Sequence, residues 1–205
     1  MWAIPGELPG AIARQYGGYL MNARFKEKAG QIYEQVLVLR CQTGDDAAFA
    51  ELLGRYEKRL GHYVRRLLHP AESPEDVLQD TWLAVYRKLP ELRDVGSFKV
   101  WLYPVARNAA VTRMRRRRDW AELAQEPQTM AESSEHTVVL AEDIARLHAA
   151  LDRLSAGHRE ALTLRFLEEM SYEDIACVVG CSVGTVRSRL HYARQSLERE
   201  LRGQS

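Results

Sequence analysis

Three groups of side chains carry the residue types that do chemistry. Glu75, Asp76 and Asp80 put three carboxylates on one short stretch, the donors a Mg²⁺-dependent nuclease or polymerase-like site would use. Glu75 falls on a different helical face from Asp76 and Asp80, and such sites draw carboxylates from separate elements, so metal-assisted cleavage is not the expected chemistry. Cys177 and Cys181 are close enough in sequence to share a metal, yet no nearby His or third Cys completes a tetrahedral set. With Cys41 they make an odd count of three, and reduced thiols are expected rather than a disulfide framework. The third group is arginine: Arg113 to Arg118 holds five, broken only by Met114. Guanidinium groups bind phosphate and carboxylate through a fixed fork of donors and make no covalent bonds. The expectation is a binding protein, with no catalytic residue, no metal, no cofactor and no small-molecule substrate.

Charge shows where that binding is concentrated. The 205 residues carry a net charge of only +1, but the arginine run is followed at once by Asp119 to Ala145, with seven acids and no Lys or Arg. Such a reversal marks a boundary between a basic surface and an acidic tether. A composition of 46% hydrophobic and 8% aromatic residues fits a folded chain rather than a disordered one. No apolar run approaches the roughly 20 residues of a membrane span, and Met1 to Gln15 lacks a basic stretch leading into an apolar one. No membrane insertion and a cytoplasmic location are expected.

The elements that must position these groups are helices. Phe49, Leu52, Leu53, Tyr56, Leu60, Val64 and Leu67 recur at three- and four-residue steps, as one buried helical stripe requires. Ser73-Pro74-Glu75-Asp76 reads as the start of the next helix, with a Ser cap, Pro at the first position and an acid closing a capping box. Leu78, Trp82, Val85 and Leu89 then face inward, while Asp76, Gln79, Asp80 and Leu83 share a second face. That mixed acidic and apolar face suits a partner better than water. After a loop from Pro90 to Ser97, Phe98 to Arg118 is helical again, with Phe98, Trp101 and Val105 on the core side and a kink or break expected at Pro104. Asp119 to Leu140 reads as a tether. Leu147, Leu151 and Leu154, then Ala161, Leu164, Phe166 and Leu167, mark further helical stripes. The chain divides into an extension over 1–35, a helical domain over 36–118, an acidic linker over 119–140 and a second helical domain over 141–205, an all-α architecture of two small units.

The sharpest local signal runs from Ser171 to Leu190. Ser171 with Asp174 forms a capping box, Ala176 is small where two helices cross, Gly180 can take the positive φ of a tight turn, and Ser182 caps a second helix. In that helix Val186, Leu190, Ala193 and Leu197 face inward, leaving Arg187, Ser188, His191 and Arg194 outside. A helix that enters the major groove of DNA needs that division: an apolar back that fixes its angle, and donors in front.

A helix-turn-helix alone fits many regulators, and the first domain supplies the discrimination. The order SPEDVLQDTWLAVYRKL, a loop, and FKVWLYPVARNAAVTRMRRRRD resembles the second conserved region of bacterial sigma factors. LDRLSAGHREALTLRFLEEMSYEDIACVVGCSVGTVRSRLHYARQSL resembles their fourth region. Both regions in this order, joined by an acidic tether and spanning about Val36 to Leu201, resemble the extracytoplasmic-function group of the sigma-70 family.

The resemblance implies RNA polymerase core and promoter DNA as partners, and an anti-sigma factor as a third. It implies that Asp76, Gln79, Asp80 and Leu83 dock on the polymerase largest subunit. It assigns capture of a flipped minus-ten base to the loop from Glu91 to Ser97, with Leu92, Arg93 and Asp94 as readers. Lys99, Arg107, Asn108, Arg113, Arg115 and Arg116 would track the DNA backbone, and Ser182, Thr185, Arg187, Ser188, Arg189, His191 and Arg194 would meet the minus-thirty-five element. Pro104 departs from the basic or polar residue of the family. A stand-alone helix-turn-helix regulator is the rival, but it leaves the acidic face of the first domain without a task. At the N-terminus Met21 is a candidate start. Residues before it are expected to be mobile, and those after it to join the first domain through an apolar face of Phe25, Ile32 and Tyr33 leading into Val36 and Leu39.

Overall fold

The computed structural model describes residues 10–69, 72–124, 147 and 149–202, with side chains described from 25 to 117 and from 147 onward. Every regular element among them is helical. The first unit comprises α1 (Gly10–Gln42), α2 (Asp46–Leu67), α3 (Pro74–Lys88) and α4 (Phe98–Ala124). Two 3₁₀ turns, Leu89–Glu91 and Val95–Ser97, lie between α3 and α4. The second unit comprises α5 (Ala156–Leu162), a π-helical turn (Thr163–Leu167), α6 (Tyr172–Val179) and α7 (Val183–Arg202).

α2 is the axis of the first unit, packing on α1, α3 and α4. Its expected stripe is present: Leu52, Tyr56, Leu60 and Val64 are buried, and Phe49, Leu53 and Leu67 pack beside them. Burying each such aliphatic or aromatic side chain contributes about 1.5–3 kcal/mol. Tyr63, fully buried on the same helix, falls outside that stripe and faces the second unit. Gly44, at φ +86, turns the chain from α1 into α2, and the Asp45 carboxylate accepts from Ala48 N at 3.0 Å. That bond, aided by Arg40, holds the Asp45 carboxyl below its ordinary range.

Several expectations need correction. Pro74 stands at the start of α3 as anticipated, but Ser73 makes no cap bond; its hydroxyl donates to the Glu75 carboxylate at 2.7 Å, a rotamer that leaves its oxygen out of reach of the first-turn N–H groups. α4 runs unbroken through Pro104, held by the fully buried Leu102, Tyr103 and Ala106 around it. It also continues to Ala124, into the stretch read as a tether; residues 125–146 lie outside the described residues. α1 is one helix across Met21. Its apolar face is reversed from expectation: Phe25, Ile32, Tyr33, Val36 and Leu39 are exposed, whereas Leu37 and Val38 are buried. In the second unit Leu164 is buried but Phe166 and Leu167 are exposed, since the π turn inserts a residue and rotates the following side chains away. Leu154 is buried and Leu151 packs on the core, whereas Leu147 is exposed.

Candidate nucleic-acid interface

The helix-turn-helix is built as its local chemistry dictates. Ser171 Oγ accepts from Asp174 N at 3.0 Å while the Asp174 carboxylate accepts from Ser171 N at 3.1 Å. Gly180 closes α6 at φ +69, where a β-carbon would strain the backbone. Ser182 Oγ accepts from Thr185 N at 3.1 Å and starts α7. Val186, Leu190 and Ala193 are buried and Leu197 packs on the same core. Arg187, Ser188, His191 and Arg194 are exposed on the opposite face, with Thr185 and Arg189 half-buried at its edges. Arg194 lies 5.1 Å over the Phe166 ring, a cation–π contact that gives the exposed phenyl a role.

On α3, Asp76, Gln79 and Asp80 are exposed, and Leu83 and Tyr86 are 49% and 55% exposed. Gln79, Leu83 and Tyr86 line a groove with Phe49, Leu53, Leu78 and Trp82; the carboxylates of the groove are Glu57 and Glu75, while Asp76 and Asp80 lie outside its lining. Asp76 is bonded to Arg113 at 3.1 Å, joining residues expected in two different interfaces.

The loop between α3 and α4 is pinned at both ends. Gln42 donates its amide to the carbonyls of Leu89 and Leu92, at 3.0 and 2.7 Å. The Asp94 carboxylate accepts from Gly96 N at 3.0 Å. Arg93 and Asp94 are exposed, and the Leu92 side chain is half-buried and packs against the core. Trp101 packs on the core beside Phe98, ring centroids 6.0 Å apart, as its spacing indicated.

On α4, Asn108, Arg113, Arg115 and Arg116 are exposed. Lys99 and Arg107 are engaged by the second unit. Arg107 Nε donates to Glu160 Oε1 at 2.8 Å, and Tyr63 donates to the same oxygen at 2.9 Å. Glu168 accepts from Arg59 Nε at 3.1 Å and from the Tyr103 hydroxyl, while its backbone carbonyl accepts from Lys99 Nζ. Burial, then the neighbouring Arg59, pushes the Lys99 ammonium below its ordinary pKa. For Arg107 burial opposes the charge, but the bond to Glu160 outweighs it and raises the pKa. Burial, reinforced by Glu160 and Glu168 respectively, raises the Tyr63 and Tyr103 phenols. Sequence reasoning missed both glutamates. The available signal was Glu160 standing one helical turn before the apolar Leu164, on a face where a carboxylate needs a partner.

A buried-back, basic-front recognition helix joined to an arginine-rich helix defines a DNA-binding transcription protein. Residues 52–120 match the Sigma-70 region 2 family and residues 144–197 match Sigma-70, region 4. The RNA polymerase sigma-H factor of Pseudomonas aeruginosa is 37% identical over 183 residues, covering 83% of this chain and 95% of that protein. The ECF RNA polymerase sigma-E factor of Escherichia coli K12 is 33% identical over the same length and coverage. The sigma factor RpoE of Bartonella quintana, solved with the anti-sigma factor NepR, superposes with a TM-score of 0.68 at 28% identity, covering 75% of this chain and 96% of that one. CnrH, solved with the cytosolic domain of CnrY, superposes at 0.62 and 25% identity, covering 84% and 99%. The chain belongs to the sigma-70 family, in its extracytoplasmic-function group: it is a sigma factor that directs transcription initiation. That family is not in general one of enzymes, and among the described residues no helix is long and apolar enough to cross a membrane.

Proposed function

We propose that this sigma factor binds polymerase core through Asp76, Gln79, Asp80 and Leu83 on α3, and reads its promoters with two separate surfaces. Arg93 and Asp94 in the pinned loop meet the minus-ten base, while Lys99, Arg107, Asn108, Arg113, Arg115 and Arg116 on α4 carry the phosphates. The exposed front of α7, with Arg187, Ser188, His191 and Arg194, meets the minus-thirty-five element in the major groove, flanked by Ser182, Thr185 and Arg189. The first unit runs from within α1 to the end of α4, and the second ends with α7. The chain itself makes no covalent change, acts in the cytoplasm, and is held in reserve by an anti-sigma factor, as the partners of the two solved relatives suggest.

The observation that carries this reading is the division of α7, with Val186, Leu190 and Ala193 buried behind an exposed basic front. Reconstitution with core enzyme tests it. Promoter DNA bound and transcription begun at a defined sequence only in the presence of core supports the reading. Equally tight, specific binding by the chain alone would instead make it a stand-alone regulator.

A further inference from the structure

Two arginines of the second unit stack on aromatic rings, and they differ in how their donors are used. Arg165 lies 5.5 Å from the Tyr172 ring centroid and also donates from Nη1 to the Met170 carbonyl at 2.7 Å, which ties it into the fold. Arg194 lies 5.1 Å over the Phe166 ring, and among the described residues that ring is its one recorded partner. A guanidinium stacked by its face spends none of its N–H groups, which project outward from its edge.

Phe166 belongs to neither helix of the helix-turn-helix. It stands on the π turn and is 54% exposed. The turn is itself fixed: Leu164 is fully buried, its carbonyl accepts from Met170 N at 3.0 Å, and Glu168 N donates to the Thr163 carbonyl at 3.1 Å. A rigid mount outside the recognition helix therefore carries the ring that meets Arg194. Arg194 stands about three turns past the start of α7 at Val183, about 16 Å along the axis. Base edges are met by the N-terminal part of a recognition helix, where Arg187 and Ser188 stand. Arg194 lies beyond them on the same exposed front, where a cation meets the sugar-phosphate backbone.

We propose that Phe166 is a positioning residue for promoter binding: its ring holds the Arg194 guanidinium in the orientation in which the free N–H fork closes on a backbone phosphate beside the minus-thirty-five element. This rests on the assignment of α7 as the DNA-facing helix. A free arginine side chain loses rotamer freedom when it fixes on a phosphate; one already stacked loses less, and the difference appears as affinity. The contact carries no sequence information, because phosphates are alike along the duplex. The DNA surface of the region 4 unit thus reaches past the helix-turn-helix to the turn that precedes it.

The test is a double-mutant cycle in the full chain, assembled with polymerase core and titrated with labelled promoter DNA over a range of salt. Phe166→Leu keeps an apolar side chain but removes the ring. It should weaken promoter binding about two- to fivefold, equally for all minus-thirty-five sequences and with the salt slope unchanged. Arg194→Ala should weaken binding further and lower the log–log salt slope by about one unit. In the Arg194→Ala background, Phe166→Leu should cause no additional loss. Phe166→Tyr, which restores the ring face, should bind as the parent does. Because Phe166 is a surface side chain, the Leu variant should keep the parent's thermal unfolding and its yield of assembly with core. Losses that add in the double variant, a Tyr variant as weak as the Leu variant, or impaired assembly with core would each overturn the proposal. Arg187→Ala at the same promoter separates this proposal from the reading beneath it. If both arginine variants weaken binding and Phe166→Leu does not, the role of Phe166 alone fails. If neither arginine variant weakens binding, α7 is not the DNA face and both fail together.

Discussion

Asp76 and Arg113 hold each other at 3.1 Å where α3 packs on α4, so a carboxylate proposed to meet polymerase is tied to an arginine proposed to meet DNA. Both side chains are about half exposed, and pairs of this kind contribute about 0–1 kcal/mol. Arg113→Ala should therefore leave the unfolding midpoint in denaturant nearly unchanged. If Arg113 carries a phosphate, promoter binding by the holoenzyme should lose about one unit of its log–log salt slope. An unchanged slope would remove Arg113 from the DNA surface.

Leu83→Asp should abolish assembly with polymerase core. Leu83 is half exposed in the free chain, so the change should alter stability by no more than about 0.5 kcal/mol, and the circular dichroism of the free protein should be that of the parent. Asp80→Arg should behave alike by reversing the charge. Co-purification of either variant with core in normal yield would sink the α3 assignment.

Arg187 stands at the centre of the exposed face of α7. Its replacement by Ala should weaken the minus-thirty-five interaction by about 1–3 kcal/mol if it reads a base. Loss confined to particular upstream sequences marks a reader; uniform loss with a shallower salt dependence marks a phosphate clamp. Unaltered promoter strength would take Arg187 out of the interface.

Gly180 offers a test of the turn itself. An added β-carbon would meet nothing within 4 Å, so Gly180→Ala should be penalised by the left-handed backbone alone, about 1 kcal/mol in chemical denaturation. Gly180→Asn should be milder, because Asn visits that region more readily. Equal stability of all three proteins would mean that the turn relaxes.

The buried phenols set the alkaline limit of the fold. Burial raises Tyr56, Tyr63 and Tyr103 above their ordinary pKa, so the folded chain keeps protons that the unfolded chain releases near about pH 10. Their contribution is complete below about pH 10 and declines as pH climbs toward the raised native values. Lys99 opposes the trend, because its lowered pKa means the unfolded chain holds that proton longer, but it is one group against three. Thermal melts should fall above about pH 10 in step with tyrosinate absorbance. Full tyrosinate formation in a chain that remains folded would contradict the burial of these rings.

What was legible in the sequence was local. The capping box of Ser171 and Asp174, the turn at Gly180 and the two faces of α7 are each set by residues within a few positions of one another, and each is found where the pattern put it. The clamp was not legible, because Glu160 and Glu168 find their donors 53 to 109 residues away and read in isolation as an ordinary solvated surface. Ser73 misled for a related reason: a cap requires its hydroxyl oxygen to accept from a backbone N–H of the first turn, whereas that hydroxyl points to the Glu75 carboxylate, and spacing does not fix the rotamer. At Pro104 the helix does not break, and the fully buried Leu102, Tyr103 and Ala106 hold the chain on either side of it. The π turn left no mark on periodicity beyond shifting Phe166 and Leu167 out of register.

The pair of hydrogen bonds from the Gln42 amide to the Leu89 and Leu92 carbonyls has a further consequence. A loop that must first find its shape loses conformational entropy at the moment it captures a ligand; this one loses it during folding, because α1 and the Asp94 turn fix its entrance and exit. Capture of an unstacked base by such a loop is limited by the opening of the DNA and not by rearrangement of the protein. If this loop captures a base as proposed, it is a rigid mount with interchangeable fittings: exchanging Arg93 should alter base preference without changing the rate of capture, whereas Gln42→Ala should slow capture at every sequence alike.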